Sequence, residues 1–189
     1  MQRNLLFYFM LLLCLSVTSC GLNEKRYPER VFEKIALNGN KILGSFKQHF
    51  KEIRAQLKGG NLVIVTPKNE VKEVSASEYI ENHYSHMFDG DIKAIKELKP
   101  KEETAQILKK GLDMFQYADE IYKNDFPRIA KMIDEGKSDE EIDTAIENLD
   151  LTKGVALDEK RESVMNAIIP YADKHGVDYK VMKMPKFPK

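Results

Sequence analysis

Along most of the chain, apolar residues recur at three-, four- and seven-residue intervals, the periodicity of amphipathic helices. Val31, Ile35, Ile42, Phe46, Phe50, Ile53 and Leu57 mark one face of a long helix that starts after Pro28 and stops at Gly59-Gly60. Ser75-Ala76-Ser77-Glu78 has capping-box spacing, with Val74 and Tyr79 as a hydrophobic staple. It opens a second helix running to about Leu98, with Asp89-Gly90-Asp91 as the place of an interruption. Pro100, Glu102 and Glu103 suit the start of a third helix. Its buried face is Ile107, Leu108, Phe115, Ala118, Ile121 and Tyr122, continued by Ile129, Met132 and Ile133 up to Gly136. Pro127 predicts a kink or break near Asn124-Asp125, because proline inside a helix removes a hydrogen bond. Ser138-Asp139-Glu140-Glu141 is a second capping box, opening a short helix through Ile142, Ile146 and Leu149. The last helix runs from about Ala156 to His175, with Val164, Ile168 and Tyr171 inward, a bend at Pro170 and Gly176 as its terminus.

One stretch departs from this period. Leu62 to Val65 is a short, largely β-branched run, followed by Thr66-Pro67-Lys68-Asn69 and then Val71 and Val74. Residues 62–74 therefore read either as a small β-hairpin packed on the helices or as an extended loop. The fold class is all-α: an antiparallel bundle of four to five helices, with the hairpin, where it forms, between the first two.

The first 20 residues have a different pattern. Arg3 precedes an apolar run from Leu5 to Val17, too short for a comfortable membrane span and of the length of a secretory signal. Val17-Thr18-Ser19-Cys20 then resembles the lipobox of bacterial lipoproteins, with Thr18 where Ala or Ser is commoner. The resemblance covers residues 1–20 only; beyond them the chain is similar to small helical lipoproteins in general rather than to one family. It implies a signal peptide over 1–19, cleavage before Cys20, and Cys20 acylated as the first residue of the mature chain. Membrane lipid is then the first partner, held through the acyl chains. Gly21 stands where an Asp in enterobacterial lipoproteins favours the inner membrane, so the outer membrane is favoured, facing either the periplasm or the exterior. The implied organisation is a tether over 20–27, a helical domain over 28–176 and a basic extended tail over 177–189.

Composition narrows the chemistry. Thirty Lys+Arg balance 30 Asp+Glu along the chain, which argues against nucleic acid as a partner. Of two cysteines, Cys14 lies inside the signal and Cys20 is the lipid site, so no disulfide is expected. His83, His86 and Asp89 follow at three-residue spacing on the second helix and are the candidate metal ligands, with His49 or a Glu as a further ligand from another element. HExxH, GxSxG, a phosphate loop and paired-cysteine metal motifs are all absent from the sequence, so no cofactor or catalytic residue is assigned, and a hydrolase is the weakest reading. Tyr79, Tyr84, Phe88, Phe115, Tyr117 and Tyr122 read as bundle core more readily than as a ligand groove. Lys180, Lys183, Lys186 and Lys189 face one acid, Asp178, in the tail, which suits anionic lipid or an acidic partner, or a solvated or packed tail. The functional expectation is a lipid-anchored envelope protein that binds or assembles with another envelope protein; the alternative is a ligand- or metal-binding lipoprotein.

Overall fold

A computed structural model describes residues 26–180. Cys20, and the tail residues Lys183, Lys186 and Lys189, lie outside the described residues. The helices are α1 (Tyr27–Phe32), α2 (Phe46–Lys58), α3 (Ala76–Tyr84), α4 (Asp89–Glu97), α5 (Ala105–Glu120), α6 (Phe126–Asp134), α7 (Asp139–Leu149) and α8 (Val155–Lys174). Strands β1 (Val63–Val65) and β2 (Val71–Glu73) form a two-stranded antiparallel sheet between α2 and α3, so the protein is an all-α bundle with a small hairpin. Val63 pairs with Glu73, Ile64 with Lys72 and Val65 with Val71. Asn69 turns the chain at φ 60°, and buried Leu62 and Val74 tie the base to the core, Val74 donating its N–H to Leu62 at 3.0 Å.

The long helix expected from Pro28 to Gly59 is two helices. A π-helical turn, Glu33–Leu37, follows α1, the helical path continues through Asn38 and Gly39, and the chain then turns at Asn40-Lys41 before Ser45 caps α2. Tertiary bonds hold this loop open. The Leu43 N–H donates to the Tyr122 hydroxyl at 2.7 Å, and Arg161 donates to the carbonyls of Ile42 and Leu43, both at 3.2 Å. Ile42 keeps its buried place without being helical.

The break foreseen near Asn124-Asp125 is a wider turn rather than a gap. A π-helical turn, Ile121–Asp125, joins α5 to α6 without leaving the helical path, and Pro127, the second residue of α6, gives no N–H to that turn. A third π turn, Asp150–Gly154, joins α7 to α8. Both capping boxes form, at Ser75 with Glu78 and at Ser138 with Glu141. Helix α5 passes so close to the turn after α1 that a Cβ on Gly111 would lie 2.9 Å from Ile35 side-chain atoms.

Aromatic rings fill the centre. Tyr122 stacks on Phe126 at 4.4 Å between centroids and meets Tyr84 and Phe88 at 5.5 and 5.1 Å. Phe46 and Phe50, from α2, pack edge-on against Phe126 at 5.3 and 5.0 Å. Tyr84, Phe88, Phe115 and Tyr122 are buried, so these rings of the expected cluster are core. The body does not stop at Gly176: Val177 is buried and the Tyr179 ring lies 5.0 Å from Phe32.

Candidate functional site

Helix α3 ends at Tyr84 because Phe88 must turn inward, where it meets Phe115 at 5.6 Å. That termination decides the fate of the candidate ligands. His83 remains on the last turn of α3, its Nδ1 3.0 Å from the Tyr79 carbonyl and its ring stacked on Tyr79 at 4.2 Å. His86 falls in the turn beyond, where its Nδ1 lies 2.8 Å from Asp89 Oδ2. His86 and Asp89 are thus brought together, and His83 is not. Among the described residues no three His, Cys, Asp or Glu side chains are grouped to hold a metal ion.

Asp89 opens α4 and is already engaged. Lys123, on the π turn between α5 and α6, donates to Asp89 Oδ1 at 2.8 Å and to Asp119 Oδ2 at 2.9 Å. The Lys123 hydrogen bond, then the one from His86, holds the Asp89 carboxyl below the usual range. The same pair of acids, Asp89 first and then Asp119, raises the Lys123 ammonium. Asp89, Lys123 and Asp119 border an open groove of about 790 Å³ between α4 and the α5–α6 turn, whose other polar walls include Lys93, Lys96 and Glu120. A carboxylate kept ionised by hydrogen bonds from Lys123 and His86 is a weak proton acceptor at neutral pH, so the arrangement suits ion pairing and positioning better than general-base chemistry.

His49, the residue offered as a ligand from another element, is elsewhere. It stands on α2 within the aromatic core, 5.2 Å from Tyr84 and stacked 5.9 Å from Phe126, with Nε2 buried and unpartnered. Burial, with a smaller contribution from nearby His83, outweighs the opposing pull of Glu52 and lowers its pKa to about 4.

Two carboxylates escaped sequence reasoning because their partners are far away in the chain. Asp134 accepts from the N–H groups of Ala76 and Ser77, at 2.8 and 2.9 Å, at the start of α3. Asp150 accepts from Phe46 and Lys47 N–H, at 3.3 and 3.1 Å, at the start of α2. Buried Asp91 also went unread: Asn38 donates to one oxygen at 2.6 Å and Lys41 to the other at 2.8 Å. These three acids clamp elements together. Compared with protein-family models, curated proteins and solved structures, the chain finds no match.

Proposed function

We propose that the chain is a lipid-anchored protein of the bacterial cell envelope whose helical body is a binding or assembly module. The observation that carries this is Val17-Thr18-Ser19-Cys20 at the end of an apolar run preceded by a single basic residue, Arg3. A signal of that form directs export, and a cysteine at its end is the nucleophile that takes the lipid. Acyl chains hold a protein to a bilayer by burying methylenes at about 0.8 kcal/mol each, and a second chain makes attachment durable. No helix among the described residues is long and apolar enough to cross a membrane, so an anchor of this kind would supply the attachment.

A binding role draws support from the hairpin. The cross-strand pair Val65 and Val71 is largely exposed, beside a β2 strand exposed along its length, which offers an apolar contact and free backbone groups to a partner. Mass spectrometry of the protein extracted from bacterial membranes tests the anchor. The expected product begins at a diacylated or triacylated Cys20, and the Cys20→Ser variant stays unprocessed. A chain that retains Met1 and an unmodified Cys20 refutes the reading.

A further inference from the structure

We propose that the groove between α4 and the α5–α6 turn binds a short peptide, of two or three residues, through both of its charged ends. The inference deepens the binding part of the reading above and rests on it, but not on the lipid anchor. Two helix faces make the groove. Asp89, Lys93 and Lys96 follow one another along α4, and Gln116, Asp119 and Lys123 along α5 and its π turn, at the three- and four-residue steps that place side chains on one side of a helix. Lys123 joins the two faces at one place, through Asp89 at 2.8 Å and Asp119 at 2.9 Å. Beyond that contact the walls stay apart, around a volume of about 790 Å³ that lies within the range of ligand pockets, about 300 to 1,000 Å³.

Several groups of these walls want partners among the described residues. Asp119 gives Oδ2 to Lys123, but its Oδ1 is buried without a donor. Lys96 and Gln116 have neither an ion pair nor a side-chain hydrogen bond, and Lys93 reaches Glu97 only at 4.0 Å. A buried carboxylate oxygen left unbonded is costly, and the carboxyl torsion is soft, so a donor that enters the groove can turn Oδ1 toward itself.

The layout of charge selects the ligand. Lys93 and Lys96 stand about 6 and 10 Å along α4 from Asp89, at 1.5 Å of rise per residue. A wholly anionic ligand would be repelled by Asp89 and Asp119, and a wholly cationic one by Lys93 and Lys96. A zwitterion meets neither obstacle when its ammonium lies at Asp119 and its carboxylate at the two lysines. The charges of a single amino acid are too close together for that span, whereas two or three residues, at about 3.3 to 3.6 Å each, cover it. The Gln116 side-chain amide, donor and acceptor at once, suits the peptide groups in between.

The test uses the full chain, isotope-labelled and extracted from a bacterial host in non-ionic detergent, with trialanine as the probe in an NMR titration. Saturable shifts of amides within 89–97 and 116–124 are expected. The Kd should be about 0.3 mM, which is what about sixteen non-hydrogen atoms sustain at ordinary ligand efficiency. N-acetyl-trialanine and trialanine amide should each bind about tenfold more weakly, because each lacks one charged contact. Changing Lys93 and Lys96 together to Gln should weaken trialanine about tenfold and leave trialanine amide as it was, whereas a merely structural effect would weaken both alike. Shifts that do not saturate by about 10 mM, or capped peptides that bind as tightly as trialanine, overturn the proposal. Either result strikes the groove alone, since the anchor is read separately from the mass of the first residue. A chain that retains Met1 and still binds trialanine in this pattern refutes the anchor and upholds the groove.

Discussion

His49 and Asp91 are polar side chains that the same bundle withdraws from water, and it treats them in opposite ways. His49 lies against Phe50, Tyr84 and Phe126 with a buried ring nitrogen that has no partner. Asp91 is 5% exposed, and both its oxygens are taken, by Asn38 and by Lys41. The difference follows from what each group can do to escape the cost of burial. An imidazole becomes neutral by releasing a proton at modest expense and then packs as an aromatic ring. A carboxylate at neutral pH would have to take up a proton far above its ordinary pKa, so it is buried only with donors. The ring is thus held by packing, and its cost appears only when it is forced to charge. The acid is held by partners, and its cost appears when they are removed.

Acid breaks the first arrangement, with the largest effect expected. The folded-state pKa of His49 is about 4, below the ordinary value of 6.5. Between those values the unfolded chain binds a proton that the folded chain does not, so stability falls as pH drops from about 6.5 toward 4 and the loss is complete below that. Across that window the shift corresponds to about 3 kcal/mol. The titratable groups that act on the ring are Glu52 on its own helix and His83 on α3, and they pull in opposite directions. Carboxyls with lowered pKa, such as Asp89 and Glu103, also lose stability as pH falls, so a wild-type profile alone mixes the two sources. His49→Phe separates them by retaining an aromatic ring. Urea unfolding at pH 7 should show a change of less than about 1 kcal/mol, and at pH 4.5 the variant should be the more stable by about 2 to 3 kcal/mol. Parallel profiles for the two proteins would mean that His49 is solvated in the folded state.

Removing the acid breaks the second arrangement. Asp91→Ala leaves Asn38 and Lys41 without their acceptor and should cost about 2 kcal/mol in urea unfolding, since hydrogen bonds to a charged group are worth about 1.5 to 3 kcal/mol and Lys41 recovers part of the loss in water. Asp91→Asn retains one acceptor and should cost about half as much. Unlike the His49 effect, this loss should be unchanged between pH 6 and 8.

Packing contrasts with both. Gly111→Ala adds one methyl where the Ile35 side chain already occupies the space, 2.9 Å from the new Cβ. Overpacking of this kind costs about 1 to 3 kcal/mol, and alanine's better helix propensity returns up to about 1, so a net loss of about 1 kcal/mol is expected in thermal or urea unfolding. Stabilisation would show that Ile35 has room to change rotamer.

The helices were readable because apolar spacing and the Ser75 and Ser138 capping boxes are local signals. The loop at 40–45 was not, because Ile35 and Ile42 keep helical spacing across a chain that Tyr122 and Arg161 hold open from 79 and 118 or more residues away. At the candidate site, the nearness of His86 to Asp89 was legible from their three-residue spacing. The separation of His83 was not, since the end of α3 at Tyr84 depends on Phe88 finding the core. Lys123 joins Asp89 from a third element, and no spacing within the chain announces such a pair.

A third carboxylate tests whether having partners is by itself what makes Asp91 costly to lose. Asp134, like Asp91, bonds with both oxygens, to the N–H groups of Ala76 and Ser77, where the positive end of α3 also favours an anion. Unlike Asp91 it belongs to an exposed residue at the end of α6, so water can take its place at those donors. Ser75 continues to cap the helix through Glu78 N–H at 3.2 Å. Asp134→Ala should therefore cost less than Asp91→Ala despite an equal number of bonds, about 0.5 to 1 kcal/mol, the lower part of the range for a lost cap. Hydrogen exchange should show the loss at the amides of the first turn of α3 and little at the backbone amides of Tyr122 and Phe126. If the two acids prove equally costly, bond count governs the price of losing a carboxylate in this bundle; if Asp134 is the cheaper, access of water to the donors left behind governs it.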